Sequence, residues 1–157
     1  MAVIRQADPA ETESALGVWR AANFDSRLHG HLEHLRGWAR EDGARLFVAA
    51  EGKRLVGVAF SLLGRAADGA GPVLPGQRHL TGFAVVPERQ RHGIGRSLLS
   101  AVLEDARREG CVRVTLWTHA VNVPARRLFE AAGFLPTGRR DSDGNGAEML
   151  QLEYVSD

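Results

Sequence analysis

The sequence predicts an α/β protein, a sheet flanked by helices, and two observations carry that class. Short apolar or alternating runs rich in β-branched residues recur at residues 46–50, 55–63, 80–86 and 112–118. Around them lie stretches whose apolar residues return every three or four positions. The clearest is Ile94, Leu98, Leu99, Val102, Leu103 and Ala106, one stripe along a helix. A third observation bears on function: the run ending at Pro87 crosses a basic loop and enters that helix over Gly93 and Gly95.

Taken in order, residues 3–6 read as a short strand. Asp8, Pro9 and Glu11 then mark a helix start, with Asp8 as N-cap, Pro9 in the first helical position and Glu11 closing a capping box. That helix carries Ala15, Leu16, Trp19 and Ala22, and residues 23–26 read as a connection. A second helix places Leu28, Leu32, Leu35 and Trp38 or Ala39 on one face and stops at Gly43. Residues 46–50 and 55–63 form a hairpin around Glu51-Gly52-Lys53. From 65 to 77 the composition turns to Gly, Ala and Pro and predicts a loop. Neither flank has enough apolar residues for its own core, so residues 1–157 are expected to form a single domain.

After the strand at 80–86 and the helix stopped by Gly110, residues 112–118 alternate Val112, Val114, Leu116 with Arg113, Thr115, Trp117. A short helix over 124–132 packs through Ala125, Leu128, Phe129 and Ala132, and Gly133 ends it. Residues 134–137 and 148–155 pair as a terminal hairpin around the polar loop 141–146.

Composition narrows the function. The hydrophobic share is 44% and the charged share 25%, ordinary for a soluble globular chain. At 157 residues, one domain buries roughly 70% of the surface its unfolded chain exposes. A net charge of +1 gives no footing for nucleic acid, which needs a clustered excess of Lys and Arg. Arg107 and Arg108 read as a solvated helix face. The single cysteine, Cys111, forbids an intramolecular disulfide and fits a reducing compartment. It opens an apolar strand and is expected to be a buried, inert thiol. No apolar run reaches the ~18 residues of a membrane span, and no signal-peptide core is present, so a cytoplasmic location is expected.

The turn at 87–96 has the make-up of an anion site. A helix start presents unpaired backbone N–H groups and the positive end of the helix dipole. Gly93 and Gly95 lack the Cβ atoms that would hold a phosphate away, Arg91 and Arg96 add charge, and a phosphate accounts for the local group of arginines near 89–96. No Walker run exists, and the third glycine of a dinucleotide fingerprint is replaced by Leu98. A nucleotide-dependent enzyme of either kind is therefore disfavoured.

What remains, Gln90-Arg91-His92-Gly93-Ile94-Gly95, resembles the Gln/Arg-x-x-Gly-x-Gly/Ala motif of the GNAT superfamily of acetyl-CoA-dependent N-acetyltransferases. Downstream, Asn122, Ala125, Leu128, Gly133 and Phe134 are similar to that family's Asn-x-x-Ala-x-x-Leu-Tyr-x-x-x-Gly-Phe segment. The resemblance is clear from about residue 80 to 139 and extends over the rest by element order, βααβββαβαββ. It implies a mixed, mostly antiparallel twisted sheet flanked by helices. The strands at 80–86 and 112–118 would splay apart there to admit a pantetheine arm. Acetyl-CoA is the implied co-substrate. Phe83, Ala84 and Val85 would meet pantetheine, and Gln90, Arg91, His92, Gly93, Ile94, Gly95, Arg96 and Ser97 the pyrophosphate. Asn122 would lie near the coenzyme's arm, or serve as a turn or cap residue.

The implied reaction is acetyl transfer to a primary amine of a small molecule or peptide N-terminus, within a ternary complex. It needs a neutral amine, a stabilised oxyanion and a departing thiolate. This chain departs from the family's pattern at three places. Phe129 stands where a tyrosine usually protonates the thiolate, and Thr81 and Trp117 stand at the two common places of the carboxylate base. His119 and His79 are the next candidates, because imidazole titrates near neutrality. These departures leave a second reading, a non-catalytic acetyl-CoA-binding regulatory module. Three histidines in 29–34 (His29, His31, His34) lack a second ligand cluster, so no metal site is expected. Phe24, Asp25, His29, His31, Asp141 and Asp143 are the residues that the resemblance places toward an acceptor, though each also reads as a solvated loop position. A homodimer is compatible with the family; no nucleic-acid or membrane partner is expected.

Overall fold

A computed structural model describes residues 1–22, 31–67 and 70–156, with side chains for all of these except His31 and Leu32. The elements are β1 (Val3–Gln6), α1 (Thr12–Ala22), α2 (His31–Ala39), β2 (Arg45–Glu51), β3 (Arg54–Arg65), β4 (Val73–Val85), α3 (Ile94–Arg108), β5 (Arg113–His119), α4 (Val123–Ala131), β6 (Leu135–Ser142) and β7 (Glu148–Val155). This is the expected order. Among the described residues, seven strands form a sheet in the order β1-β2-β3-β4-β5-β7-β6. The pairs β1–β2, β2–β3, β5–β7 and β6–β7 are antiparallel and β4–β5 is parallel, as the mixed, mostly antiparallel expectation requires. The connection at 23–26, Leu28, Phe24, Asp25 and His29 lie outside the described residues. The chain divides into two compact units, residues 1–62 with 80–104, and residues 63–79 with 105–157.

In the first unit, Pro9–Glu11 forms a 3-10 turn, and the α-helix proper begins at Thr12, later than the capping signal placed it. The Glu11 carboxylate still does what a capping box asks, accepting the Asp8 N–H at 2.9 Å. It also takes the Arg5 guanidinium at 2.7 and 2.8 Å. These two sets of donors, Arg5 first, pull its pKa from 4.5 down to about 2. Arg36 of α2 bonds Glu13 of α1 at 3.0 Å and also pairs with Glu33, which ties the two helices. In β2 and β3 Val48, Ala49, Val56, Val58, Ala59 and Phe60 are all inaccessible to solvent, so the hairpin reads as continuous apolar runs because both faces are covered.

Glycine sets two close approaches in this unit. A Cβ on Gly57 would lie 2.7 Å from Leu98 Cδ1 and 3.2 Å from Ile94 Cγ2, so α3 seats on β3 where β3 has no side chain. Gly82, in β4, has φ +59°, and a Cβ there would lie 2.6 Å from Phe60 Cδ2 and 2.9 Å from Leu35 Cδ2.

In the second unit the structure corrects the loop expected over 65–77. Residues 73–77 belong to β4, which pairs Gln77, Arg78 and His79 with Arg113, Val114 and Thr115 of β5. Gly71 and Gly76 in the 65–77 stretch sit at φ +81° and +75°, and just before it Gly64 of β3 faces β4, where a Cβ would lie 2.8 Å from that of Gln77. The end of α3 follows the sequence closely. Gly110 takes φ +83°, its N–H bonds Arg107 O at 3.0 Å, and the Cys111 N–H reaches Ala106 O at 2.9 Å, a Schellman stop. Cys111 is half-buried, less than the buried thiol expected, and desolvation still pushes its thiol up, in keeping with an inert thiol. Val112 is the second correction. It lies before β5 and is 54% exposed, because its backbone bonds Gly76 O and the Ser156 N–H while its side chain faces out. β6 runs on through Asp141 and Ser142, which shortens the terminal loop. Phe129, Phe134 and Tyr154 stack as an aromatic cluster, with centroids 5.9 and 5.8 Å apart, over Gly133 at φ +105°.

Two stability outcomes follow. Glu11 ionises in the folded state well below its ordinary pKa, so its contribution is present above pH 4.5 and lost as pH falls toward 2. Denaturant melts should show Glu11→Gln less stable than the parent at pH 6, with the gap closing across that window. Gly82→Ala adds a Cβ at positive φ into occupied space, and should cost about 2–4 kcal/mol in the same melts.

Candidate functional site

The first unit carries the turn between β4 and α3. β4 ends beside β3, where the Val86 N–H bonds Val56 O at 2.9 Å. Pro87–Arg89 then makes a 3-10 turn. The Gln90 side chain folds back and donates Nε2–H to Val85 O at 3.0 Å, closing the strand end. Arg91 sits at φ +66°, unusual for a residue with a Cβ, and Gly93 at φ +83°. The exposed His92 ring folds back on its own loop, with Nδ1 2.9 Å from Gln90 O. The Ser97 N–H bonds Gly93 O at 3.1 Å, so the amides of the preceding residues belong to the helix start that has no intrahelical acceptor. A Cβ built on Gly93 meets nothing within 4 Å. The turn is open to a ligand, with backbone donors gathered at its base.

The arginines of this turn divide in two. Arg89 is committed to Glu51 of β2 at 2.7 Å, and neighbouring Glu88 pairs with Arg54 of β3. The Glu51 and Glu88 carboxyls are correspondingly held below the usual carboxylate range, the first by Arg89 and the second by a backbone amide and then Arg54. These pairs pin the loop to the β2–β3 hairpin. They also remove Arg89 from the set of phosphate-facing arginines that the basic run predicts. Arg91 and Arg96 are exposed and have no ion-pair partner among the described residues.

The second unit carries the imidazoles and the second motif. His79 Nδ1 lies 2.8 Å from Thr115 Oγ1, inside the short parallel ladder, so it is held in a strand interior and not at a strand end. His119 is the last residue of β5, and its Nε2 lies 3.0 Å from Asp143 Oδ2. The structure thus does not bring His79 and His119 into one cluster. Asp143 Oδ1 accepts the N–H groups of Asn145 at 2.7 Å and Ala147 at 3.1 Å, an Asx-turn that closes the β6–β7 loop. Its pKa is lowered, by the His119 hydrogen bond above all and then by the Asn145 amide. Asn122 caps α4, accepting the Ala125 N–H on Oδ1 at 3.3 Å, the cap alternative that the sequence raised. Phe129 is 5% exposed and packs edge-on against Phe134. Trp117 is half-buried under the Arg139 guanidinium, 5.4 Å from its ring centroid.

Sequence reasoning named His119 and Asp143 apart, for different tasks, and did not join them. They are 24 residues apart in sequence. The usable signal was the Asp-Gly-Asn-Gly loop, whose Asx geometry aims a carboxylate at the end of the neighbouring strand. Of the acceptor candidates, Asp141 is exposed on β6, and the His31 side chain lies outside the described residues. No described helix is long and apolar enough to cross a membrane.

The family model described as Acetyltransferase (GNAT) family matches residues 12–134. Mycothiol acetyltransferase of Thermobispora bispora is 36% identical over 138 residues, which cover 83% of this chain and 45% of that protein. The chain thus spans less than half the length of this relative. The ribosomal protein bS18-alanine N-acetyltransferase of Escherichia coli is 30% identical over 105 residues, 66% of this chain and 70% of that one. Among solved structures, an acetyltransferase-fold protein of Salmonella typhimurium, determined with its cofactor acetyl-CoA, aligns with a TM-score of 0.72 at 22% identity, covering 99% of this chain and 94% of that one. With the family model spanning most of its length and the expected strand order in place, the chain belongs to the GNAT acetyltransferase family.

Proposed function

We propose that residues 1–157 act as one cytoplasmic N-acetyltransferase domain, moving an acetyl group directly from acetyl-CoA to a primary amine of a small molecule or a peptide N-terminus. The observation that carries this reading is the open turn at 90–96. It joins positive-φ backbone, unused helix-start amides, a Gly93 cradle with nothing within 4 Å and two arginines without ion-pair partners among the described residues. In this reading the amides of Gly93, Ile94, Gly95 and Arg96 and the side chains of Arg91 and Arg96 take a pyrophosphate. Gln90, His92 and Ser97 shape the turn. Phe83, Ala84 and Val85 offer backbone to the pantetheine, although Val85 O is already taken by Gln90. Asn122, with Oδ1 spent on its cap, has its amide NH2 left for the coenzyme arm.

Acetyl-CoA supplies a thioester whose thiolate, of ordinary pKa about 8.5, departs tolerably near neutrality. Phe129 has no proton to give it, so the thiolate is protonated by His119, His79 or solvent. The names of the two relatives, one for mycothiol and one for an alanine of ribosomal protein bS18, support an acceptor that is either a molecule other than a protein or a protein.

A second reading, an acetyl-CoA-binding module without transfer, draws on Phe129, buried in an aromatic cluster where the family's motif has a hydroxyl. Thiol release by the purified protein over a panel of amines separates the two. Turnover with any amine removes the binding module, and calorimetric binding of acetyl-CoA without turnover removes the transferase.

For the turn itself, Arg91→Ala and Arg96→Ala should each raise KM for acetyl-CoA roughly tenfold while leaving thermal stability unchanged. Gly93→Val should raise KM further, since its side chain would fill the cradle at a φ that disfavours it. An unchanged KM in a folded Gly93→Val protein would mean that phosphates do not sit there.

A further inference from the structure

We propose that Asp143 is a positioning residue that fixes the tautomer of His119, so that His119 Nδ1 is the base that takes the proton of the acceptor amine. The inference rests on the transferase reading and adds to it the group that handles the proton.

The geometry leaves His119 one arrangement. An ionised carboxylate only accepts hydrogen bonds, so the Nε2 atom 3.0 Å from Asp143 Oδ2 must carry its hydrogen. In a neutral ring the lone pair then lies on Nδ1. Among the described residues Nδ1 has no hydrogen-bond partner, and the His119 side chain is 34% exposed. His79 differs, since its Nδ1 is already engaged by Thr115. Asp143 is itself held from two sides: Oδ1 takes two loop amides, and its own N–H bonds Ala147 O at 3.0 Å. The carboxylate is 12% exposed. One oxygen thus closes the loop and the other addresses the ring.

Other charged groups flank the imidazole at a remove. On β7, Glu148 bonds the Ala120 N–H through its carbonyl, and its carboxylate is paired with Arg140 of β6 at 2.9 Å. On α4, Arg126 donates to Ala120 O at 2.9 Å. Asp141 lies beside Met149, the uncharged residue paired with His119 across β5–β7.

The step balances. The amine nitrogen attacks the thioester carbonyl carbon, its N–H proton passes to Nδ1, the C–S bond breaks, and the thiolate leaves with the electron pair. The imidazolium then returns the proton to the thiolate or to water, and the products are an amide and free thiol.

Asn in place of Asp143 makes a sharp test. Two loop amides require an oxygen on the Oδ1 side, so Asp143→Asn turns its NH2 toward Nε2. The ring must then accept there and carry its hydrogen on Nδ1, where no lone pair remains. Two-bond ¹⁵N–¹H spectra should show the Nε2–H form of His119 in the parent and the Nδ1–H form in Asp143→Asn. In thiol-release assays from pH 6 to 9, with an alanyl peptide and spermidine as acceptors, kcat should fall roughly 10²- to 10⁴-fold in Asp143→Asn. His119→Gln keeps a donor to Asp143 and so the loop, yet should lose kcat equally and lose the acid limb of the profile. The double variant should be no worse than either single one, and added imidazole should partly restore His119→Ala. Retained kcat in His119→Gln, or an Nδ1–H ring in the parent, overturns this inference alone. No transfer by the parent to either probe or to any amine of the panel overturns the transferase reading and this inference with it.

Discussion

The seating of α3 on β3 is the constraint on which the turn between β4 and α3 depends. Gly57 leaves room for Ile94 and Leu98, from the first two turns of α3, at distances no side chain would allow. One residue earlier, Val56 O takes the N–H of Val86 as the chain leaves β4. A two-residue stretch of β3 therefore holds both flanks of the turn, the strand that enters it and the helix that leaves it. The amides at the helix start are fixed in place by apolar packing and a single backbone bond. A site made of backbone needs this, because N–H groups cannot be re-aimed by a rotamer change.

Charge is divided within the same loop. Arg89 and Glu88 are drawn into pairs with Glu51 and Arg54 of the β2–β3 hairpin, while Arg91 and Arg96 keep clear of ion pairs among the described residues. Pairs this exposed add little stability. Their effect is positional: they fix the outer edge of the loop, and Gln90 bonding Val85 O fixes its inner edge. Between these ties the chain runs through positive φ at Arg91 and Gly93. Backbone conformations of that kind persist only where the surroundings over-determine them.

The second unit answers a different chemical need. Its apolar part, Phe129, Phe134 and Tyr154 around Gly133, is packing, and a phenylalanine serves there as well as a tyrosine would. Its polar part is spread over the end of β5 and the β6–β7 loop, where Asp143 joins loop closure to the orientation of an imidazole. Loop and ring share one carboxylate, so the loop cannot be rebuilt without disturbing His119.

The sequence by itself determined the element order, the α3 stripe, the glycine stops at Gly110 and Gly133, and the glycine-bearing turn between β4 and α3. All of these are local, set by residues within a turn or two of one another, where period, propensity and capping act. Tertiary structure decided what depends on distant partners. Residues 73–77 look like loop alone and form the start of β4, the strand whose Gln77, Arg78 and His79 pair with β5; Val112 looks like core and is turned out by the backbone bonds on either side of it. Arg89 reads as one more phosphate-facing charge until Glu51, 38 residues away, claims it. The His119–Asp143 pair spans 24 residues and exists only because β5, β6 and β7 come side by side. Composition and spacing specify which groups are available, and the register of the sheet specifies which of them meet.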